Sequence, residues 1–166
     1  MLYIEIYYIQ QQIRAECQMI DLNGEAANPL VPELEKLLKL WRQRYGARSE
    51  SKRASLTADD LRPWSRNVAL IEHATDGRFY VRGFGIDLIR RFGRESTGHC
   101  IDDLARDIRD GLYDSLWRSL STGAPVAARS WVKLGRDAAK FCDLAVPIVW
   151  NAGRVTIVAL ASYEMG

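Results

Sequence analysis

Acidic clusters are the residues in this sequence that could carry acid–base chemistry. They are Asp59 with Asp60, Asp102 with Asp103, and Asp107 with Asp110. Two nearby carboxylates can act as general acid and general base when burial separates their pKa values. Each cluster lies near a predicted helix start, however, where the helix N-terminus stabilises a negative charge. We therefore interpret the clusters as helix-starting residues and predict no catalytic role for them.

Cysteine and histidine could serve as nucleophiles or metal ligands. Cys17, Cys100 and Cys142 are widely spaced and form no CxxC pair, which indicates a reducing compartment and no disulfide framework. His99 stands beside Cys100 but lacks a second ligand pair at metal-binding spacing, so no zinc site is predicted. Neither a GxSxG motif nor a phosphate-binding glycine loop is present. The sequence therefore predicts no metal and no enzymatic activity.

The composition is that of an ordinary folded domain. The chain has 166 residues, 48% hydrophobic and 27% charged, with a formal net charge of +2. This length fits one domain, and this charge is too small to predict a polyanionic partner. The start of the sequence has no clear signal-peptide pattern, and no apolar stretch is long enough to span a membrane. We expect a cytoplasmic protein that contacts no membrane.

One segment is strongly basic. Residues 42–53 contain one acid and five basic residues, namely Arg42, Arg44, Arg48, Lys52 and Arg53. Such a segment could contact nucleic acid, but it carries no known nucleic-acid-binding motif. A solvated loop is the favoured interpretation, and nucleic-acid binding remains the alternative.

The hydrophobic periodicity predicts an α+β domain. A helix is expected at 33–45, strands at 67–74 and 78–85, short helical turns, and a long helix at 104–121. Three strands follow at 126–134, 140–150 and 154–163, and Pro147 should lie at a sheet edge or a bulge. These elements predict a five-stranded antiparallel sheet with helices on one face. Residues 1–32 are predicted to be an N-terminal helical extension and linker, although the pattern of 1–20 alone fits a strand or a helix, and 33–166 are predicted to be the domain.

The order of these segments and their amino-acid sequences resemble the PAS family, in particular the stand-alone PAS-like proteins of alphaproteobacteria. The matching segments are LLKLWRQRYGA (37–47), DLRPWSRNVALIE (60–72), RFYVRGFGIDLIRRFGRESTGHCIDDL (78–104), SLSTGAPVAAR (119–129) and AVPIVWNAGRVTIVALA (145–161). In that family two N-terminal strands are followed by a helical segment and three C-terminal strands, and the five strands form one sheet. The resemblance covers about residues 34–163.

The resemblance implies a sensory or adaptor domain in bacterial signal transduction. Such a domain acts by binding a small molecule, by dimerising or by docking on a signalling partner, and no output domain is expected in this chain. A homodimer is predicted, with residues 1–20 and the helix at 33–45 as its interface. A small-molecule enzyme on a related α+β cavity fold is the alternative.

The cofactors known from PAS relatives do not fit this sequence. Haem requires an axial ligand such as histidine, and the helix at 104–121 contains none. A flavin adduct requires a cysteine in an Asn-Cys-Arg-Phe-Leu-Gln setting, whereas Cys100 stands in Gly-His-Cys-Ile-Asp-Asp. A non-covalent small organic ligand remains open. The residues predicted to line its pocket are Phe79, Val81, Trp117, Trp131 and Phe141; packing of all five in the core is the alternative.

Overall fold

A six-stranded antiparallel sheet organises the part of the chain that the structure describes. The computed structural model describes residues 17–22, 30–45, 56–134 and 136–166. The strands are β1 (Cys17–Ile20), β2 (Val68–His73), β3 (Phe79–Phe84), β4 (Val126–Leu134), β5 (Asp137–Asn151) and β6 (Arg154–Met165). The α-helices in these ranges are α1 (Pro32–Tyr45), α2 (Ile89–Phe92) and α3 (Arg106–Thr122), and three short 3-10 helices are Arg62–Trp64, Ile86–Leu88 and Ile101–Asp103. No helix within them combines the length and apolar character needed to cross a membrane.

The sheet has the order β1-β4-β5-β6-β2-β3, and every neighbouring pair is antiparallel. The predicted α+β class is therefore confirmed, but the predicted count of five strands is wrong. The additional strand is β1, so the extension predicted to be helical is a strand at residues 17–20. In this strand Cys17 pairs with Ser130 and Ile20 with Ala127. Pairing with β1 covers an edge of β4 that would otherwise present unpaired backbone groups. Residues 1–16 of the predicted extension lie outside the described residues.

Helices cover both faces of the sheet, which corrects the expectation of helices on one face. Strand β5 is the reason, because every residue from 141 to 148 is buried. A strand that is apolar on both faces needs a packing layer on each side. Helix α3 packs on one side, where Leu112 and Leu116 share a core cluster with Phe141 and Ala145; we call this the α3 face. Helix α1 covers the other side, the α1 face.

Helix α1 is held on the sheet by apolar packing and by hydrogen bonds to β5. Its buried residues recur at helical spacing: Leu34, Leu37, Leu38, Trp41 and Tyr45. The indole Nε1 of Trp41 donates to the Pro147 carbonyl at 2.7 Å, and the Tyr45 hydroxyl donates to the Ile148 carbonyl at 3.2 Å. The pairing of β5 with β4 ends at Ala145. The two side chains therefore donate to β5 carbonyls that have no partner on β4.

Pro147 lies at a bulge, one of its two predicted settings. The register of β5 against β6 shifts between Pro147 and Val149. Proline has no backbone N–H to donate to a ladder, so a bulge beyond the end of β4 tolerates it. The bulge also lies where α1 contacts β5 through Trp41.

Gly85 allows two backbone segments to approach closely after β3. A Cβ atom at this position would overlap the Arg66 carbonyl group and lie 2.6 Å from the Ser65 carbonyl oxygen. The amide of Asp87 donates to the same Arg66 carbonyl at 2.9 Å, which fixes the approach. Gly83 lies two residues earlier, and a Cβ there would meet only the flexible Leu70 side chain, at 3.3 Å.

Gly85→Ala should destabilise the protein, because backbone at Arg66 cannot move aside without breaking the Asp87 hydrogen bond. We expect a loss of about 2 kcal/mol or more in the free energy of unfolding, measured by urea denaturation. Gly83→Ala is the matched control and should change that free energy by less than about 1 kcal/mol. Equal effects of the two substitutions would contradict the close approach at Gly85.

Candidate functional site

A buried ion pair lies at the centre of the α3 face. Arg91 and Asp143 are 1% and 2% exposed, and Nη2 of Arg91 donates to Oδ2 of Asp143 at 2.9 Å. The hydroxyl of Ser130 donates to Oδ2 at 2.8 Å, and that of Ser162 donates to Oδ1 at 2.5 Å. Arg91 also donates to the Ser130 hydroxyl at 3.2 Å. We call these four residues the buried charge network.

The network joins four elements of the fold. Asp143 lies on β5, Ser130 on β4, Ser162 on β6 and Arg91 on α2. Asp143 and Ser162 are direct cross-strand partners, so the sheet register sets their contact. Two desolvated charges are stable only when they are paired and their remaining hydrogen-bonding groups are satisfied. The two serines satisfy the carboxylate, and the network fixes the short helix α2 on the sheet.

A pocket of about 360 Å³ opens on the same face, near the other end of β5. We call it the α3-end pocket. It is lined by the last turn of α3, the end of β2 and the β5–β6 hairpin: His73, Trp117, Leu120, Ser121, Thr122, Gly123, Trp150, Gly153, Arg154 and Val155. The hairpin continues to the pair Asn151–Arg154, whereas β4 pairs with β5 only as far as Ala145. The pocket therefore lies where the hairpin extends past β4.

Aromatic rings form a wall of the α3-end pocket. Trp117 lies 5.2 Å from the ring of His73 and 5.0 Å from that of Phe79, both in edge-to-face arrangements. Trp117 is 44% exposed although it is one of the largest apolar side chains. On the hairpin, Trp150 lines the pocket and packs its ring 4.9 Å from Tyr45 of α1. The pocket thus offers indole rings from two elements to a ligand.

The polar groups of the pocket have unused hydrogen-bonding capacity. Nε2 of His73 is buried and has no hydrogen-bond partner among the described residues. The exposed Arg154 has no ion-pair partner in the described ranges, and the lining contains no carboxylate. A buried polar atom without a partner costs stability, so a ligand that supplies one is favoured.

Two electrostatic effects act on a charged ligand here. The C-terminal end of α3 carries partial negative charge, which disfavours an anion by about 0.3–1 kcal/mol. Because Arg154 is exposed, its ion pair with an anion contributes about 0.2–1 kcal/mol, and about 1.5–3 kcal/mol only where a bound ring excludes water. The arginine effect exceeds the helix effect in the second case. Thr122 reduces the helix effect, because its hydroxyl donates to the Arg118 carbonyl at 2.6 Å.

The residues predicted to line a pocket are distributed over three environments. Phe79, Val81 and Phe141 lie together in the core of the α3 face and are at most 2% exposed. Trp117 lines the α3-end pocket. Trp131 lies on the α1 face, because its neighbour Val132 packs in the core of the α3 face and successive strand residues point to opposite faces.

Trp131 is accordingly separated from the other four by the sheet. Its indole instead contacts the ammonium group of Lys140, which lies 5.3 Å from the ring centroid. Sequence reasoning did not identify His73, Trp150 or Arg154 as pocket residues. The signal available for the last two was the Asn-Ala-Gly turn between two long strands, which brings both to one hairpin end.

The acidic and basic segments serve local structure. The carboxylate of Asp60 accepts hydrogen bonds from the amide and hydroxyl of Thr57, and these bonds hold the pKa of Asp60 below its usual value. Arg44 adds an ion pair with Asp60 at 2.7 Å, and Arg42 donates to the Leu22 carbonyl. Residues 46–53 of the basic segment lie outside the described residues.

Cys100 has none of the features of an activated nucleophile. Burial raises the pKa of its thiol, and the neighbouring His99 ring contacts the Arg94 guanidinium at 2.7 Å. Burial likewise raises the pKa of the Cys142 thiol. Within the described ranges, no group of three or more His, Cys, Asp or Glu side chains could hold a metal ion.

Comparisons with known proteins identify no family for this chain, but they do find a solved structure that aligns with most of it. No protein-family model matches the chain. No curated protein matches it either. A solved structure described as an RNA-binding light-oxygen-voltage receptor aligns with 89% of this chain and 38% of its own chain, with a TM-score of 0.47 and 14% identity. This chain therefore spans well under half of that protein.

Asp143→Asn should strongly destabilise the fold, because it leaves the buried Arg91 charge without its counter-ion. We expect a loss of about 3–5 kcal/mol in the free energy of unfolding, measured by urea denaturation. Asp137→Asn, an exposed change on the same strand, should stay within about 0.5 kcal/mol.

The double variant Arg91→Met with Asp143→Leu separates the ion pair from the packing around it. Because it removes both charges, it should be more stable than Asp143→Asn alone. If Asp143→Asn instead unfolded at the same urea concentration as Asp137→Asn, the assignment of the network as a main stabilising feature would be wrong.

Proposed function

We propose that this chain is a PAS-type sensory domain that binds a small organic molecule in the α3-end pocket. The element order of the fold supports this proposal. Strands β2 and β3 come before a helical segment, β4 to β6 come after it, and these five strands belong to one sheet. The observation that carries the proposal is the pocket itself. Exposed indole surface, a buried His73 nitrogen without a partner and about 360 Å³ of space occur together there.

The proposed function is sensing rather than catalysis. The described residues of the pocket lining include no carboxylate, cysteine or lysine, so they offer few groups for acid–base or covalent chemistry. The ligand would act by stabilising the end of α3 against the β5–β6 hairpin. The free thiols of Cys100 and Cys142 favour a reducing, cytoplasmic location for this sensor.

Homodimerisation is the second part of the proposal. Helix α1 packs its apolar stripe against its own sheet, so that stripe is already occupied. The sequence of residues 1–9, which contains three tyrosines and three isoleucines, therefore carries the proposed dimer contact. A sensor of this type would pass its signal to a partner protein through the state of the dimer.

Ligand binding is tested by thermal unfolding of the full chain with a panel of one-ring and two-ring aromatic compounds. A true ligand at about one hundred times its Kd should raise Tm by roughly 5–10 °C. Trp117→Ala should abolish that rise, whereas Trp131→Ala, the same change on the opposite face, should retain it. A panel without any stabilising compound, or a rise unaffected by Trp117→Ala, would contradict the proposal.

The dimer is tested by light scattering coupled to size-exclusion chromatography. We expect the full chain to elute with twice the mass of one chain. Ile6→Asp should convert it to a monomer, because a charge in an apolar contact is not solvated. Gln11→Asp, which adds the same charge outside that apolar stretch, is the control. A monomeric full chain would remove this part of the proposal.

A further inference from the structure

We propose that the ligand of the α3-end pocket is a planar aromatic acid, an inference that rests on the proposed function. The size and walls of the pocket indicate the ring system. A volume of about 360 Å³ is at the lower end for small-molecule sites, which suits one or two fused rings. Trp117 and Trp150 present indole surface that a planar ring contacts by stacking or edge-on.

The charge of the pocket indicates the acid. Arg154 follows directly after the β5–β6 turn, and among the described residues its guanidinium has no carboxylate partner. An arginine fork matches the two oxygens of a carboxylate, and the pairing is favoured further where apolar rings exclude water. The same group attracts a phosphate or sulfonate, so acidic character is the property recognised.

His73 adds a second polar contact inside the pocket. Its Nε2 atom is buried without a partner in the described part of the chain, while its ring packs between Phe79 and Trp117. A polar atom on the ligand ring would satisfy this nitrogen. The arrangement therefore recognises a ring that carries an acid at the Arg154 side and a polar atom at the His73 side.

One observation opposes an anionic ligand and defines the strongest competing outcome. The last turn of α3 also lines the pocket, and carbonyl groups at a helix C-terminus favour cations. If this effect exceeded that of Arg154, the pocket would prefer an aromatic ammonium ion. Probes that share one ring system and differ in charge distinguish the two cases.

The experiment is isothermal titration calorimetry of the full chain with three naphthalene probes. They are 2-naphthoate, the neutral 2-naphthamide and 2-naphthylmethylammonium. We expect 2-naphthoate to bind about tenfold or more tightly than 2-naphthamide. Arg154→Gln should remove this preference, so that the variant binds 2-naphthoate and 2-naphthamide with similar affinity. Arg136→Gln, which neutralises an exposed arginine in the β4–β5 turn, should leave the preference intact.

The outcomes separate this inference from the proposed function. Equal affinities for the acid and the amide, a preference for the ammonium probe, or a preference retained in Arg154→Gln would each overturn the aromatic acid. In those cases the proposed function stands if Trp117→Ala weakens binding. Failure of all three probes to bind the unchanged protein would contradict both the inference and the proposed function.

Discussion

The ion pair between Arg91 and Asp143 is the interaction on which the arrangement of the α3 face depends. Asp143 lies in the middle of β5, and a carboxylate there requires a counter-ion and hydrogen-bond donors. Ser130 on β4 and Ser162 on β6 supply donors only in the observed register. Arg91 supplies the charge only if the four-residue helix α2 lies against the sheet. One buried carboxylate thus constrains three strands and a helix.

The α3-end pocket lies outside this constraint. Asp143 of the network comes before Ala145, the last residue of β5 that pairs with β4. Trp150 of the pocket comes after the Pro147 bulge. There the sheet is narrower, because β5 and β6 continue without β4. Here the end of α3 packs on β2 and β3 through ring contacts of Trp117 with His73 and Phe79 rather than through buried charge. A ligand at this place can strengthen contacts between two elements without disturbing the network.

Ring contacts connect the two faces of the sheet at the end where the α3-end pocket lies. Trp150 lines the pocket, and its ring contacts Tyr45 of α1. The hydroxyl of Tyr45 donates to the Ile148 carbonyl next to the bulge. Packed rings therefore connect the pocket directly to helix α1.

Sequence patterns predicted most of the fold and little of the site. The strand at 126–134 and the helix at 33–45 were placed within a residue of their observed bounds, because their apolar periodicity is strong. Strand β1 was not separable from a helix, since its stability comes from pairing with β4 rather than from its own sequence. Trp131 was wrongly predicted to lie on the same face of the sheet as Phe141. The face to which a residue of β4 points depends on the pairing register with β5, which the sequence does not reveal.

The buried charge network could not be predicted from residue type alone. Arg91 stands beside Arg90, which forms an exposed ion pair with Glu164, and nothing in the sequence distinguishes the two arginines. Asp143 was the available signal, since an acid within an otherwise apolar strand needs a buried partner. His73, Trp150 and Arg154 meet only through tertiary structure, because the end of β2 lies far in sequence from the β5–β6 hairpin.

The most direct test of a small-molecule site at the end of α3 is a two-dimensional NMR titration that follows the five tryptophan indole N–H resonances. Trp64 donates to a backbone carbonyl, and Trp131 lies on the α1 face, so these two serve as internal references. On addition of 2-naphthoate, the resonances of Trp117 and Trp150 should shift while the two references stay unchanged. Unchanged Trp117 and Trp150 resonances, or a shift of Trp131 as large as theirs, would contradict the proposed site.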